Sequence, residues 1–266
     1  WPLPTMAPLA RALALLAMAV ATTANQVLPQ DKTLDTFDDQ YQGCRPAMIE
    51  ALPALNRSEF QQNNLFAQVW VKAAAEWQKR GPPVSPLSPD QATAIMAYTM
   101  VDLYMEFNNA TRTAGSSPRQ YRDNFHFKTL HFLLTDALAT LRDAQAGHCL
   151  DVFLQDCEGL SEAKDGDTVR FVQFSVTSLS KPTQQCPGKE MLFQVHTCHG
   201  VEIASFSEQP QHWNVVLIPP FETFKVTEVT QQGNKEVIQL SSSGTYSKYN
   251  CEYLKGDATG DSLGDG

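Results

Sequence analysis

Apolar residues recur at helical spacing in the first half of the chain and in short or alternating runs in the second half. Ser58 with Gln61 three residues on reads as a capping box. Phe66, Val69, Trp70, Ala73 and Trp77 then repeat at helical intervals as far as Gly81-Pro82-Pro83, which predicts one helix. Ser88-Pro89-Asp90-Gln91 and Ser117-Pro118-Arg119-Gln120 repeat the start signal, with proline at the first helical position and a glutamine able to reach back. Each predicts a further helix, the second carrying Phe127, Leu130, His131, Leu134, Leu138 and Leu141. After Gly147 the texture changes, and strands are predicted over 150–154, 168–174, 191–198, 201–206, 215–218, 223–229, 236–240 and 249–254. Helices first and strands after is an α+β layout. The Pro-rich stretch 81–89 reads as an ordered loop between helices, and no internal repeat or long linker is visible.

Length and composition narrow this to one folded unit. With 266 residues, 42% of them apolar and 18% charged, the chain can bury one substantial core. A net charge of -9 and a pI near 5.1, without any Lys/Arg cluster, argue against nucleic acid or anionic lipid as a partner. Arg11 followed by the run Ala-Leu-Ala-Leu-Leu-Ala-Met-Ala-Val-Ala and small polar residues reads as a secretory signal peptide over 1–25, too short for a membrane span; a buried apolar helix is the alternative. A single domain over 26–255 and a flexible tail over 256–266 follow. The tail carries no hydrophobic lipid-anchor signal, so the chain as given reads as secreted, although a truncated terminus would read the same. Six cysteines agree with export and predict disulfides whose pairing the residues alone leave open. Asn56-Arg57-Ser58 and Asn109-Ala110-Thr111 are candidate glycosylation acceptors, Asn56 and Asn109 bearing the glycan.

Several segments carry a more specific signal: Phe37-Asp38-Asp39-Gln40-Tyr41-Gln42-Gly43-Cys44, Phe125-His126-Phe127-Lys128-Thr129-Leu130-His131-Phe132, Thr197-Cys198-His199-Gly200, Val216-Leu217-Ile218-Pro219-Pro220 and Tyr249-Asn250-Cys251-Glu252-Tyr253-Leu254. Together, in this order, they resemble the vertebrate ecto-mono-ADP-ribosyltransferases. The resemblance implies a helical part packed on a two-sheet β core with an NAD cleft. It also implies a transferase that splits NAD at the nicotinamide bond and passes ADP-ribose to an arginine on an extracellular or cell-surface protein. NAD is then the substrate, no metal is needed, and a monomer is expected. The transition state resembles an oxocarbenium ion, so such a site needs a carboxylate near the ribose hydroxyl and a cation on the pyrophosphate.

In the family pattern an Arg, a Ser and a Glu on separate strands supply these roles, and a second Glu two residues before the first helps receive arginine. Each position is altered here. The Arg position falls at Leu154 in Val152-Phe153-Leu154-Gln155, which removes a charge-assisted contact worth about 1.5 to 3 kcal/mol. The first Ser of the Ser-x-Ser element is Val176, leaving Thr177 and Ser178 as the polar contacts for NAD. The Glu-x-Glu positions are Trp213 and Val215, so no intact catalytic residue remains. Glu208 and Glu222 are the nearest carboxylates, and strand alternation gives neither the lost position. Activity is therefore expected to be weak or lost, with an inactive extracellular binding protein as the alternative.

Other constellations read as structural. Arg170 is the Arg nearest these strands, and relatives carry one there beside their motif Arg; a displaced phosphate contact is the alternative. His126 and His131 sit among aromatic and aliphatic neighbours, as core histidines do. His196-Thr197-Cys198-His199 has metal-like composition without the spacing of a zinc site. The resemblance instead pairs Cys149 with Cys198 and Cys44 with Cys251, leaving Cys157 and Cys186 undecided.

Overall fold

The computed structural model describes residues 25–81, 85–208 and 215–256. The predicted signal peptide, residues 82–84 of the Pro-rich stretch, most of the predicted C-terminal tail and Trp213 lie outside the described residues. Seven α-helices are described: α1 Arg45–Gln62, α2 Asn64–Arg80, α3 Pro89–Tyr98, α4 Val101–Ala114, α5 Pro118–Asn124, α6 Lys128–Ala144 and α7 Glu252–Lys255. The strands are β1 Val27–Pro29, β2 Leu150–Asp156, β3 Thr168–Phe171, β4 Ser175–Ser178, β5 Glu190–Thr197, β6 Val201–Glu202, β7 Val215–Ile218, β8 Glu222–Gln232 and β9 Lys235–Thr245.

Side-chain caps decide where the helices begin, and they move two predicted starts. Ser58 lies inside α1, where its hydroxyl accepts from Gln62, and the helix carrying Phe66 to Trp77 is capped by Asn63, whose side chain accepts from Phe66 N at 3.0 Å. Ser88 and Gln91 form the predicted capping box. Ser117 caps only the short α5, because the chain breaks at 125–127 before α6. The start of α6 is held from a distance: the buried Glu59 carboxylate accepts from Lys128 N at 2.6 Å and Thr129 N at 2.8 Å. α4 was not predicted as a separate element, and 249–254 is not a strand. There the Asp39 carboxylate takes the Cys251 and Glu252 amides, each at 2.9 Å, and turns the chain into α7.

Hydrogen bonding links the strands in the order β1-β3-β8-β9-β5-β2-β4-β7-β6. The chain between β3 and β4 turns, where 168–174 had read as one strand, because Val172 leaves β3 to bond Gln26 O and to receive Thr36 Oγ1. Likewise β6 stops at Glu202 and a 3-10 turn over Ala204–Phe206 replaces the end of the predicted strand. β2 and β4 meet at a single register pair, Phe153 opposite Ser178, and this narrow junction divides the ladder into a large half and the small half β4-β7-β6.

Two apolar clusters show how the halves are used. Val215 and Leu217 of β7 belong to the cluster that includes the helices, whereas Val216 and Ile218 belong to the cluster with Val152, Phe171, Phe193, Phe224 and Ile238 of the larger half. β7 is thus buried on both faces, which explains its unbroken apolar run. The two halves pack across the second cluster, as the expected two-sheet core requires. Disulfides Cys44–Cys251, Cys149–Cys198 and Cys157–Cys186 close the fold. The first two are the pairs the resemblance implies, and the third resolves the remaining two cysteines.

Candidate functional site

Two of the family-pattern positions, Val176 and Val215, come together on β4 and β7. The antiparallel register sets Val176 opposite Leu217, Thr177 opposite Val216 and Ser178 opposite Val215. Directly opposed residues share a face, so Val176, Ser178, Val215, Leu217 and, across the narrow junction, Phe153 all point to the helical side. On that face the only hydroxyl from these positions is that of Ser178. Its Oγ accepts from Ser180 N at 3.0 Å, which leaves the hydroxyl hydrogen free to donate. Val215 is 8% exposed and Val176 packs against the helical cluster.

Two predicted participants are elsewhere. Thr177 points to the opposite face, where its Oγ1 donates to Val216 O at 2.9 Å and the side chain is buried, so it does not share a face with Ser178. Leu154 alternates away from Phe153 and is buried in the second cluster. Sequence spacing found both positions but not their faces, because the register of β2 on β4 rests on one pair of residues far apart in the chain.

Among the described residues, Glu222 and Glu208 are engaged elsewhere than at Val215. Glu222 is fully buried and its two oxygens accept from Thr197 Oγ1, Cys198 N, His199 N and Ser242 Oγ at 2.5 to 3.2 Å. Burial holds its carboxyl above the usual range despite these bonds. It ties the Cys149–Cys198 corner to β8 and β9. Gly200 completes that corner, since a Cβ there would meet Thr197 at 2.8 Å and Val216 at 3.0 Å. Glu208 is anchored through its backbone, its amide donating to Thr99 Oγ1 and its carbonyl accepting from Arg80 Nη2.

The remaining candidates take structural roles. Arg170 is fully buried, pairs with Asp38 at 2.8 Å, donates to Thr33 and Tyr246 O, and stacks on the Tyr246 ring. His131 is fully buried, whereas His126 is only half-buried at the break before α6. His196 lies beside Cys149 and Cys198, but both sulfurs are in the disulfide, and the ring bonds Asp151 instead. Asn109 is exposed on α4; Asn56 is half-buried on α1 and its Oδ1 is buried without a partner.

Helices packed on a folded-over, mostly antiparallel β core with this strand order define an ADP-ribosyltransferase-type α+β protein. The family model described as NAD:arginine ADP-ribosyltransferase matches residues 30–248, and the chain belongs to that family. The erythroblast NAD(P)(+)--arginine ADP-ribosyltransferase of Gallus gallus is 46% identical over 229 residues, covering 85% of this chain and 76% of the relative. The GPI-linked NAD(P)(+)--arginine ADP-ribosyltransferase 1 of Homo sapiens is 40% identical over 251 residues, covering 87% and 76%. Among solved structures, a mutant of the eukaryotic mono-ADP-ribosyltransferase ART2.2 in complex with NAD superposes with a TM-score of 0.72 at 32% identity, covering 86% of this chain and 99% of that one.

Proposed function

We propose that this chain keeps the arginine ADP-ribosyltransferase scaffold without its transferase chemistry and acts outside the cell by binding. The observation that carries this reading is the pair Ser178 and Val215, which face each other across β4 and β7, with a valine where the family pattern has its catalytic carboxylate. Splitting NAD builds positive charge on the ribose, and a preorganised negative group there is usually the largest source of rate. An isopropyl group in an apolar cluster supplies none. Leu154 and Val176 supply neither a cation for the pyrophosphate nor the first hydroxyl of the family pattern. An extracellular setting is favoured by three disulfides and by relatives whose names mark them as GPI-linked. Among the described residues no helix is long and apolar enough to cross a membrane.

Restoring the pattern tests this. Val215→Glu combined with Val176→Ser, two positions on one face, is expected to raise ADP-ribose transfer to an arginine-rich acceptor above the parent chain. The same double variant with Val215→Gln, which matches the size without the charge, is expected to stay at the parent level. Equal activity in both would show that the carboxylate is not the missing element. Circular dichroism of each variant checks that the fold survives a polar group at this buried position.

A further inference from the structure

A pocket of about 360 Å³ opens between α6, the 40–45 turn and the loops after β5 and β7, and none of Leu154, Val176, Ser178 and Val215 lines it. Its volume is that of a small-ligand site. The floor is apolar, formed by the buried side chains of Phe132, Leu138 and Phe221.

The charges around this floor are unequal. Arg45 grips Asp136 through two nitrogens, and Gln91 Nε2 also donates to that carboxylate at 2.7 Å, so this pair is neutral and satisfied. Arg142 has no such counter-ion: its Nε donates to Cys198 O at 2.7 Å, and among the described residues no carboxylate lies within salt-bridge distance of it. The neighbouring His199 is pushed down to about 4 by burial and by the Arg142 charge, so its ring is neutral at pH 7. The pocket therefore carries one uncompensated positive charge in a chain whose net charge is -9. Thr135, 5% exposed in the wall, keeps a buried hydroxyl with no hydrogen-bond partner.

We infer that this pocket binds a small organic carboxylate, its apolar or aromatic body over Phe132 and Leu138 and its carboxylate on the free edge of the Arg142 guanidinium. A planar fork suits a carboxylate, and a single positive charge suits a monoanion. A dianionic phosphate would leave one charge unpaired near Asp136. The apolar floor requires a body that an inorganic anion lacks.

Ligand-observed fluorine NMR on the full, oxidised chain tests this with para-fluorobenzoate and the neutral para-fluorobenzyl alcohol as probes. Saturable binding of the benzoate is expected, at least about tenfold tighter than the alcohol, as a charge-assisted contact implies. Arg142→Met is expected to bring the benzoate to the alcohol's affinity. Ala139→Phe, made at an exposed α6 position on the pocket wall, is expected to abolish binding of both probes without lowering the thermal unfolding midpoint. Because it leaves every contact of Arg142 in place, this second variant decides the matter if Arg142→Met fails to fold. Absence of saturable binding, equal affinity for both probes, or binding unchanged in Ala139→Phe would overturn the assignment.

Discussion

His131 shows how a single buried side chain makes this fold sensitive to acid. Its Nε2 lies 3.2 Å from Phe37 O, which can only accept, so the proton sits on Nε2 and Nδ1 accepts from the Tyr41 hydroxyl at 2.9 Å. Burial pushes the imidazole down to about 3 from 6.5. The unfolded chain thus binds the extra proton between these values, and this contribution is full above 6.5 and is lost as pH falls toward 3. At pH 4.5 the loss amounts to about 2 to 3 kcal/mol. Asp39, Glu59 and Glu222, all raised by burial, act in the opposite sense, stabilising the fold at low pH and losing that contribution as pH rises through their folded values. Urea unfolding of the parent and His131→Phe at pH 7 and pH 4.5 separates the two. The variant is expected to be less stable at pH 7, where Tyr41 loses its partner, and to lose less on acidification. Arg170→Met is expected to cost about 3 to 5 kcal/mol in the same assay at pH 7, because it strands the buried Asp38 charge. The core character of His131 was legible from its neighbours in the sequence, and the structural role of Arg170 from the family resemblance. That Ser178 and not Thr177 faces the helical side was not legible, since strand β4 was not predicted and only its pairing with β7 assigns the faces.

At the scale of elements, the apolar periodicities located α2, α3, α6 and most of the strands but not α1, α4, β1 or β4, while long-range caps set several of the ends. The break before α6 is the clearest case. Periodicity from Phe127 onward reads as a continuation of the helix started at Ser117, yet Glu59 of α1 supplies the acceptors that open a new helix at Lys128. No local pattern announces a cap that comes from another helix. Glu59→Ala removes acceptors from two buried amides and is expected to cost about 1 to 3 kcal/mol, read as a lower urea midpoint with an unchanged slope. Tyr249 to Leu254 misled for the same kind of reason. Its alternating composition fits a strand, but Asp39 gathers its amides into a turn and Cys251 is held there by Cys44. β7, by contrast, was readable outright, because a strand buried on both faces must be continuously apolar.

For the whole molecule, the cysteine framework and the two apolar cores hold the scaffold together independently of the altered motif positions. Cys44–Cys251 joins residues 207 apart, and the chain-entropy account gives such a closure roughly 5 kcal/mol. Replacing both cysteines with serine is therefore expected to lower the thermal midpoint more than replacing Cys157 and Cys186, whose separation is 29. The α+β class and the family were legible because they rest on motifs spread along most of the chain. The geometry at Val215 was legible only as a missing residue type; the register adds that its neighbours on that face are Phe153, Val176, Ser178 and Leu217, none of them charged. The most direct measurement is labelling of an arginine-rich acceptor from isotopically labelled NAD by the unmodified chain, run beside the Gallus gallus erythroblast relative. Labelling indistinguishable from an enzyme-free control is expected; labelling at a rate comparable to the relative's would contradict the account.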